Sequence, residues 1–224
     1  LPIEIENLPQ IDLVLLSHDH YDHLDHGSIL KLIKKTKLFF VPLGVGAHLK
    51  AWGVSSNQIK ELNWWDEQHL KGLQIIFTPS RHFSGRGITD RFSTLWGSWV
   101  IKSEKQRIYF SGDGGYGPHF KTIGQQHGPF DFAMIECGQY HKNWADIHMM
   151  PEESVQAGID LNTKLAMPIH WGAFTLSLHS WIDPVERFLK EAKALKLPVI
   201  TPQIGEIITV GNEHDQNNHW WYKP

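Results

Sequence analysis

A chain of 224 residues is long enough for one sizeable core that buries roughly 70% of the surface its unfolded form exposes, so a single domain over residues 1–224 is expected. Hydrophobic residues at 41% and charged residues at 20% are ordinary for a soluble globular protein, and no uncharged apolar stretch approaches the ~18 residues of a membrane-crossing helix. A net charge of −3 argues against a broad nucleic-acid footprint, and Cys137 as the single cysteine excludes an intrachain disulfide and fits a reducing, cytoplasmic home, with a membrane-peripheral place as the alternative.

Apolar runs of strand length alternate with helical segments, with no repeat or linker between them, which is the rhythm of an α/β protein. In chain order the pattern predicts a strand over 11–16, a helix over 27–35, a strand over 38–41 and a helix over 46–52 stopped by Gly53. Strands follow over 73–78, 94–102 and 107–111, then a helix over 119–126 stopped by Gly128 and a strand over 132–136. A helix over 151–161, a strand over 165–169, a helix over 184–195 and a strand over 206–210 complete the series; Pro151 and Pro184 occupy the first turns of their helices. The ten tryptophans are assigned mainly to core and pocket walls.

Directly after the first strand comes His18-Asp19-His20-Tyr21-Asp22-His23. In an extended segment His18 and His20 face one side and close on one ion. Asp22 and His23 diverge, and suit a second ion with a hard oxygen ligand beside an imidazole. Fifteen histidines make metal binding a compositional expectation as well; a His-rich surface loop is the alternative. Ser80-Arg81-His82, Gly112-Asp113 and His170-Trp171 each follow a later strand, as Ser17-His18 follows the first, so four strand ends converge on one site.

The series H-x-H-x-D-H, then His82, then Asp113 in Ser111-Gly112-Asp113, then His170 resembles the metallo-β-lactamase superfamily across almost the whole chain. Ser80-Arg81-His82, Leu95-Trp96-Gly97-Ser98-Trp99, Ser111-Gly112-Asp113-Gly114-Gly115-Tyr116, Gly128-Pro129-Phe130-Asp131, Ile147-His148-Met149-Met150-Pro151-Glu152-Glu153 and Ile169-His170-Trp171-Gly172-Ala173-Phe174 resemble the branch with N-acylphosphatidylethanolamine-hydrolysing phospholipase D. The resemblance implies a four-layer αββα sandwich in which His18, His20 and His82 bind a first zinc and Asp22, His23 and His170 a second. Asp113 would bridge the two ions together with a water or hydroxide, two cations then clamping the attacking and leaving oxygens of an in-line displacement. Iron or manganese would be served by the same donors.

Many metallo-β-lactamases place a cysteine at the second site, whereas this chain has Asp113 there and Cys137 elsewhere, which favours a harder site for phosphate or ester oxygens over antibiotic hydrolysis. His148 matches a histidine near the metals of the phospholipase D branch, where it would stabilise an oxyanion or protonate a leaving group; the alternative is a helix-start residue. Arg81 and Arg86 flank His82 and are read either as bidentate phosphate ligands or as solvated loop cations. Tyr116 and Trp171 are read as pocket walls or packing residues, and His26, His48, His69, His119, His127, His141, His179, His214 and His219 receive no role.

Superfamily members carry several strands before the first metal motif, whereas 17 residues precede His18. A domain incomplete at its N-terminus is therefore expected, lacking strands of the first sheet and leaving an uncovered edge or inner face that promotes aggregation or homo-oligomers. The function these readings imply is a binuclear, zinc-dependent hydrolase acting through a bridging hydroxide on a phosphodiester, with a lipid-derived head-group bond as the leading substrate. The alternatives are a lactonase or ester hydrolase acting on a phosphorylated sugar lactone, and a metal-binding protein without turnover.

Overall fold

In β1 (Ile11–Leu15) apolar residues point both ways, because the strand is covered on both faces. Leu13 and Leu15 join Phe40, Leu62, Phe77 and Trp99 in one apolar layer, while Val14 and Leu16 join Ile29, Phe39, Val41 and Leu49 in another. The same alternation runs through β2 (Thr36–Pro42) and β3 (Ile59–Leu62), which pair with it in parallel in the order β1-β2-β3. Helices α1 (His26–Leu32) and α2 (Gly46–Ala51) make the crossovers and cover the outer face. The computed structural model describes residues 3–174, 176–211 and 219–222.

The second sheet has the order β4-β5-β6-β7-β8-β9, from β4 (Glu67–Leu70), β5 (Leu73–Thr78), β6 (Ser98–Lys102), β7 (Arg107–Phe110), β8 (Phe132–Glu136) and β9 (Ala166–Ile169). Pairing is antiparallel as far as β7 and parallel from β7 to β9. The switch follows from the connections: short turns join β4 to β5 and β6 to β7 and a loop over 79–97 joins β5 to β6, whereas α3 (His119–His127) and α4 (Pro151–Asp160) bridge the parallel pairs. Odd residues of β5 and β6, Ile75, Phe77, Trp99 and Ile101, face the first sheet. Their neighbours Ile76 and Val100 join Tyr109, Ala133 and Ile135 under α3, α4 and α5 (Asp183–Leu195). The four-layer αββα sandwich expected from the sequence is thus present. Each large side chain sealed in it, Trp99 or Phe77 for example, contributes roughly 1.5–3 kcal/mol of transfer free energy.

Helix ends follow their sequence signals. In α4, Pro151 occupies the first turn and the Glu153 carboxylate accepts from the Met150 amide at 2.9 Å. Helix α5 places acids at its start, Asp183 and Glu186, and ends at Lys196 in the left-handed region at φ 57°.

Several expectations need correction. The strand over 94–102 begins only at Ser98, because Thr94 turns inward to Asp19 and Trp96 donates to the Ser80 carbonyl. Residues 206–210 form no strand: Ile208 and Val210 pack on Phe132, Leu165 and Ile200 without entering a ladder. Strands β3 and β4 escaped the reading, since Ile59-Lys60-Glu61-Leu62 and Glu67-Gln68-His69-Leu70 are short and half polar. Over the inner face of β7 to β9 the segment with Ile208 and Val210 replaces the first sheet, leaving an apolar cleft of about 530 Å³ lined by Ile108, Met134, Met167 and Trp171. Among the described residues no helix is long and apolar enough to cross a membrane.

Candidate metal centre

Every chemistry-bearing loop leaves the same edge of the sandwich. β1 ends into His18–His23, β5 into His82, β7 into Asp113 and β9 into His170, so the four predicted strand ends do converge. Two backbone features aim the side chains. Gly112 turns the chain out of β7 at φ 59°, where a Cβ would lie 2.7 Å from the Gly97 carbonyl oxygen, so a side chain is excluded just before Asp113. His170 holds φ 64°, a conformation strained for a non-glycine residue.

His18 Nε2 and His82 Nε2 each lie 3.1 Å from His20 Nδ1. His82 donates Nδ1–H to the Ile147 carbonyl at 2.9 Å, and Ser17 Oγ lies 3.0 Å from His18 Nδ1, which orients both rings with Nε2 inward. Beside this trio, His23 Nε2 is 3.3 Å from His170 Nε2 and 3.4 Å from Asp22 Oδ2, and His170 Nε2 is 3.3 Å from Asp22 Oδ2. Asp113 Oδ2 faces both groups, 2.9 Å from His23, 3.4 Å from His170, 3.8 Å from His18 and 4.0 Å from His82, all measured to Nε2. Four donors around one tetrahedral ion at roughly 2.0–2.2 Å stand about 3.3–3.6 Å apart; the separations within each group, 2.9–3.4 Å, fall close to that spacing, and Asp113 stands farther from His18 and His82.

The electrostatics agree with a cation site. Burial pushes His18 well below the usual imidazole range, lowers His20 and takes His82 down to about 3, so this trio is neutral and presents lone pairs. Burial opposes the charged form of His23, but the Asp113 and Asp22 carboxylates outweigh it and raise it to about 10. Burial would raise Asp113 and Asp22, yet the facing histidines hold both carboxyls below the usual range. Asp113 Oδ1 is buried with no hydrogen-bond partner, an orphaned acceptor of the kind a metal ion satisfies.

His148 belongs to this cluster. Its ring centroid is 5.2 Å from that of His82, and it stacks on His170 at 5.6 Å and 7°. Its Nδ1 engages the Glu136 carboxylate, which outweighs burial and raises the imidazole to about 9. Glu136 and Asp19 were not singled out from the sequence. A glutamate closing the otherwise apolar β8 was the available signal for the first. Asp19, wholly buried between two ligand-type histidines, accepts from Gly85 N at 2.8 Å and Thr94 Oγ1 at 2.9 Å, tying the first motif to the loop after His82.

Other assignments change. Arg81 pairs with Asp146 at 2.7 Å and donates to the Tyr116 carbonyl. Arg86 donates to the Asp19 and Leu24 carbonyls at 2.6 and 2.8 Å and lies over the Tyr21 ring at 4.1 Å. Arg81 is thus a loop cation on the surface, as one of its two readings had it, and Arg86 is a half-buried cross-link between loops. Tyr116 donates to Asp160 at 2.6 Å and stacks on Phe120 on the helical side, away from the donors, whereas Trp171 does line a cleft beside His170. Of the histidines given no role, His48 approaches Asp19 at 3.5 Å, and His214 lies outside the described residues.

The beta-lactamase superfamily domain matches residues 1–171. A Mycobacterium tuberculosis protein is 44% identical over 209 residues, which cover 92% of this chain and 56% of the relative. The N-acyl-phosphatidylethanolamine-hydrolyzing phospholipase D 1 of Caenorhabditis elegans is 32% identical over 223 residues, covering 92% of this chain and 63% of that protein. The chain therefore spans less than two thirds of the length of these curated relatives. Among solved structures, an isothiocyanate hydrolase from Delia radicum gut bacteria superposes with a TM-score of 0.72 at 20% identity, over 94% of this chain and 81% of its own, a likeness of fold.

Proposed function

The chain belongs to the β-lactamase superfamily, and from that premise we propose that it is a binuclear metal-dependent hydrolase of phosphodiesters. The observation that carries the reading is the position of Asp113 Oδ2, within 4.0 Å of an imidazole nitrogen in both donor groups. His18, His20 and His82 would hold the first ion, Asp22, His23 and His170 the second, and Asp113 both, with zinc the best match to the imidazole-rich, four-donor sets. When bound, two such cations supply Lewis-acid polarisation of a phosphoryl oxygen and lower the pKa of the attacking water.

The chain's own residues do the rest. Asp113 places a buried negative charge between two sites that would otherwise repel each other. Neutral His18, His20 and His82 offer lone pairs without first losing protons. His148, protonated in the neutral range, is the group at hand to give a proton to a departing alkoxide. Phosphodiester specificity is supported by the sulfur-free donor set and by the similarity to the phospholipase D of Caenorhabditis elegans.

Turnover of bis(p-nitrophenyl) phosphate and of an N-acylphosphatidylethanolamine, set against a panel of lactones including phosphorylated sugar lactones, tests the proposal on metal-reconstituted protein. Diester cleavage with lactones untouched is the expected result. Lactone opening without diester cleavage overturns the substrate assignment. Full metal occupancy with no turnover on either panel overturns the hydrolase assignment.

A further inference from the structure

Glu136 is a carboxylate with no exposure at the end of β8, and it belongs to neither of the two donor groups just assigned. No lysine or arginine pairs with it among the described residues; its ion-pair partners are His148 and, at 3.8 Å, His170 Nδ1. A buried carboxylate is kept in a fold only when its oxygens are hydrogen-bonded. Here one oxygen accepts from the Gly114 amide and the other from His148 Nδ1. The Glu136 amide in turn donates to Ser111 Oγ at 3.0 Å. Glu136 is therefore fastened on both sides to the Ser111-Gly112-Asp113-Gly114 turn that presents Asp113, and by its remaining oxygen to His148.

That connection fixes which way the His148 ring works. An imidazole bound to a carboxylate through Nδ1–H is held in one tautomer and one orientation, with Nε2 left as the working nitrogen. Stacking on His170 and the edge contact with His82 fix the plane of the ring, but neither distinguishes Nδ1 from Nε2; the Glu136 contact does. We propose that Glu136 is the positioning residue of the site: with one carboxylate it orients His148 and ties that ring to the turn carrying Asp113. The consequence for turnover rests on the hydrolase reading; the orientation of the ring does not.

Two readouts test this. In long-range 1H–15N spectra of 15N-histidine protein, recorded at a pH high enough that the ring is neutral, the signal lost in His148→Ala identifies His148, which should be Nδ1-protonated in the wild type. Glu136→Gln keeps the side-chain shape but offers one acceptor oxygen for two donors, so this tautomer should give way to a mixture, while Glu136→Asp, which keeps both oxygens, should retain it. In kinetics, Glu136→Gln should bind the wild-type amount of metal with KM little changed and lose roughly 10- to 100-fold in kcat on alkoxide leaving groups. The double variant Glu136→Gln/His148→Ala should match His148→Ala alone. An unchanged His148 tautomer in Glu136→Gln, or additive kinetic losses in the double variant, overturns the proposal. If Glu136→Gln does not fold, a lost Nδ1 tautomer in soluble Glu136→Asp overturns it instead, and a retained one supports it. A wild type without turnover but with the tautomer switch intact leaves the positioning role standing while the hydrolase reading falls.

Discussion

Asp113 Oδ2 stands 2.9 Å from His23 Nε2, and Asp113 Oδ1, equally buried, has no hydrogen-bond partner. A carboxylate that is 3% exposed and turns one oxygen to all the facing imidazoles leaves the other oxygen desolvated without return. Its place between two imidazole groups accounts for that arrangement if both oxygens serve cations, and it makes Asp113 the residue whose removal discriminates best among readings of the site.

Elemental analysis of protein purified without chelator should therefore find two divalent ions per chain. The seven donors are too many for one tetrahedral zinc and divide spatially into two sets. One ion or none, with all seven side chains intact, would refute the binuclear reading.

Unequal ligand effects follow from the geometry. Asp113→Ala should reduce occupancy at both sites and abolish turnover, since it removes the charge shared by the two groups. His170→Ala should empty mainly the second site, because its Nε2 contacts are with His23, Asp22 and Asp113 and none is with the His18 trio. Equal metal loss in the two variants, measured by competitive chelator titration, would contradict a shared Asp113.

How much of this was legible in the sequence depended on how local the signal was. His18, His20, Asp22 and His23 sit in one turn, and His82, Asp113 and His170 each follow an apolar strand, so all seven side chains that the structure gathers could be named as candidates before any coordinates. Glu136 could not, because its meaning lies in Gly114 and His148, which reach it only through the sheet and the loop before α4. The partners of Arg81 and Arg86 were hidden for a related reason: an arginine beside a candidate ligand gives no sign in sequence that Asp146 or the Leu24 carbonyl holds it. In the fold, β5 and β6 declared themselves by continuous apolar runs, Ile75 to Phe77 and Trp99 to Ile101, whereas β4 is half polar because it is the edge strand of the second sheet.

Acid should destabilise the protein through histidines away from the donor cluster. Burial, with Arg81 adding to it, lowers His119 from 6.5 to about 4; burial and Lys102 do the same to His127. Each is neutral in the fold and protonated more readily when unfolded, so its stabilising contribution is complete above pH 6.5 and is lost as pH falls towards 4. His119→Gln should flatten this slope by about 1–2 kcal/mol after allowance for solvent screening, read from urea unfolding of metal-free protein at several pH values. An unchanged slope would show that His119 titrates normally.

Gly138→Ala offers a steric probe of the second site. A Cβ at Gly138 would lie 1.9 Å from the His170 carbonyl oxygen and 2.8 Å from its carbon, so the backbone carrying His170 must shift. The expected result is a loss of about 1–3 kcal/mol in stability together with selective loss of one metal ion. Two ions retained at wild-type affinity would show that His170 can move without leaving its position.

The last test concerns what His148 does once oriented. If it donates a proton to the leaving group, His148→Ala should keep both metals and lower kcat by roughly 10²- to 10⁴-fold on substrates that expel an alkoxide. On p-nitrophenyl esters the loss should be small, because p-nitrophenolate departs without a proton. A residue serving only to pack His82 against His170 would behave differently: its removal would cost stability and slow good and poor leaving groups alike. An oxyanion-stabilising role is distinguishable from both, since it lowers kcat for every leaving group with stability and metal content unchanged. Leaving-group dependence across a series of aryl and alkyl diesters, measured beside the thermal midpoint and metal content of the variant, separates the three; a flat dependence takes proton donation away from His148.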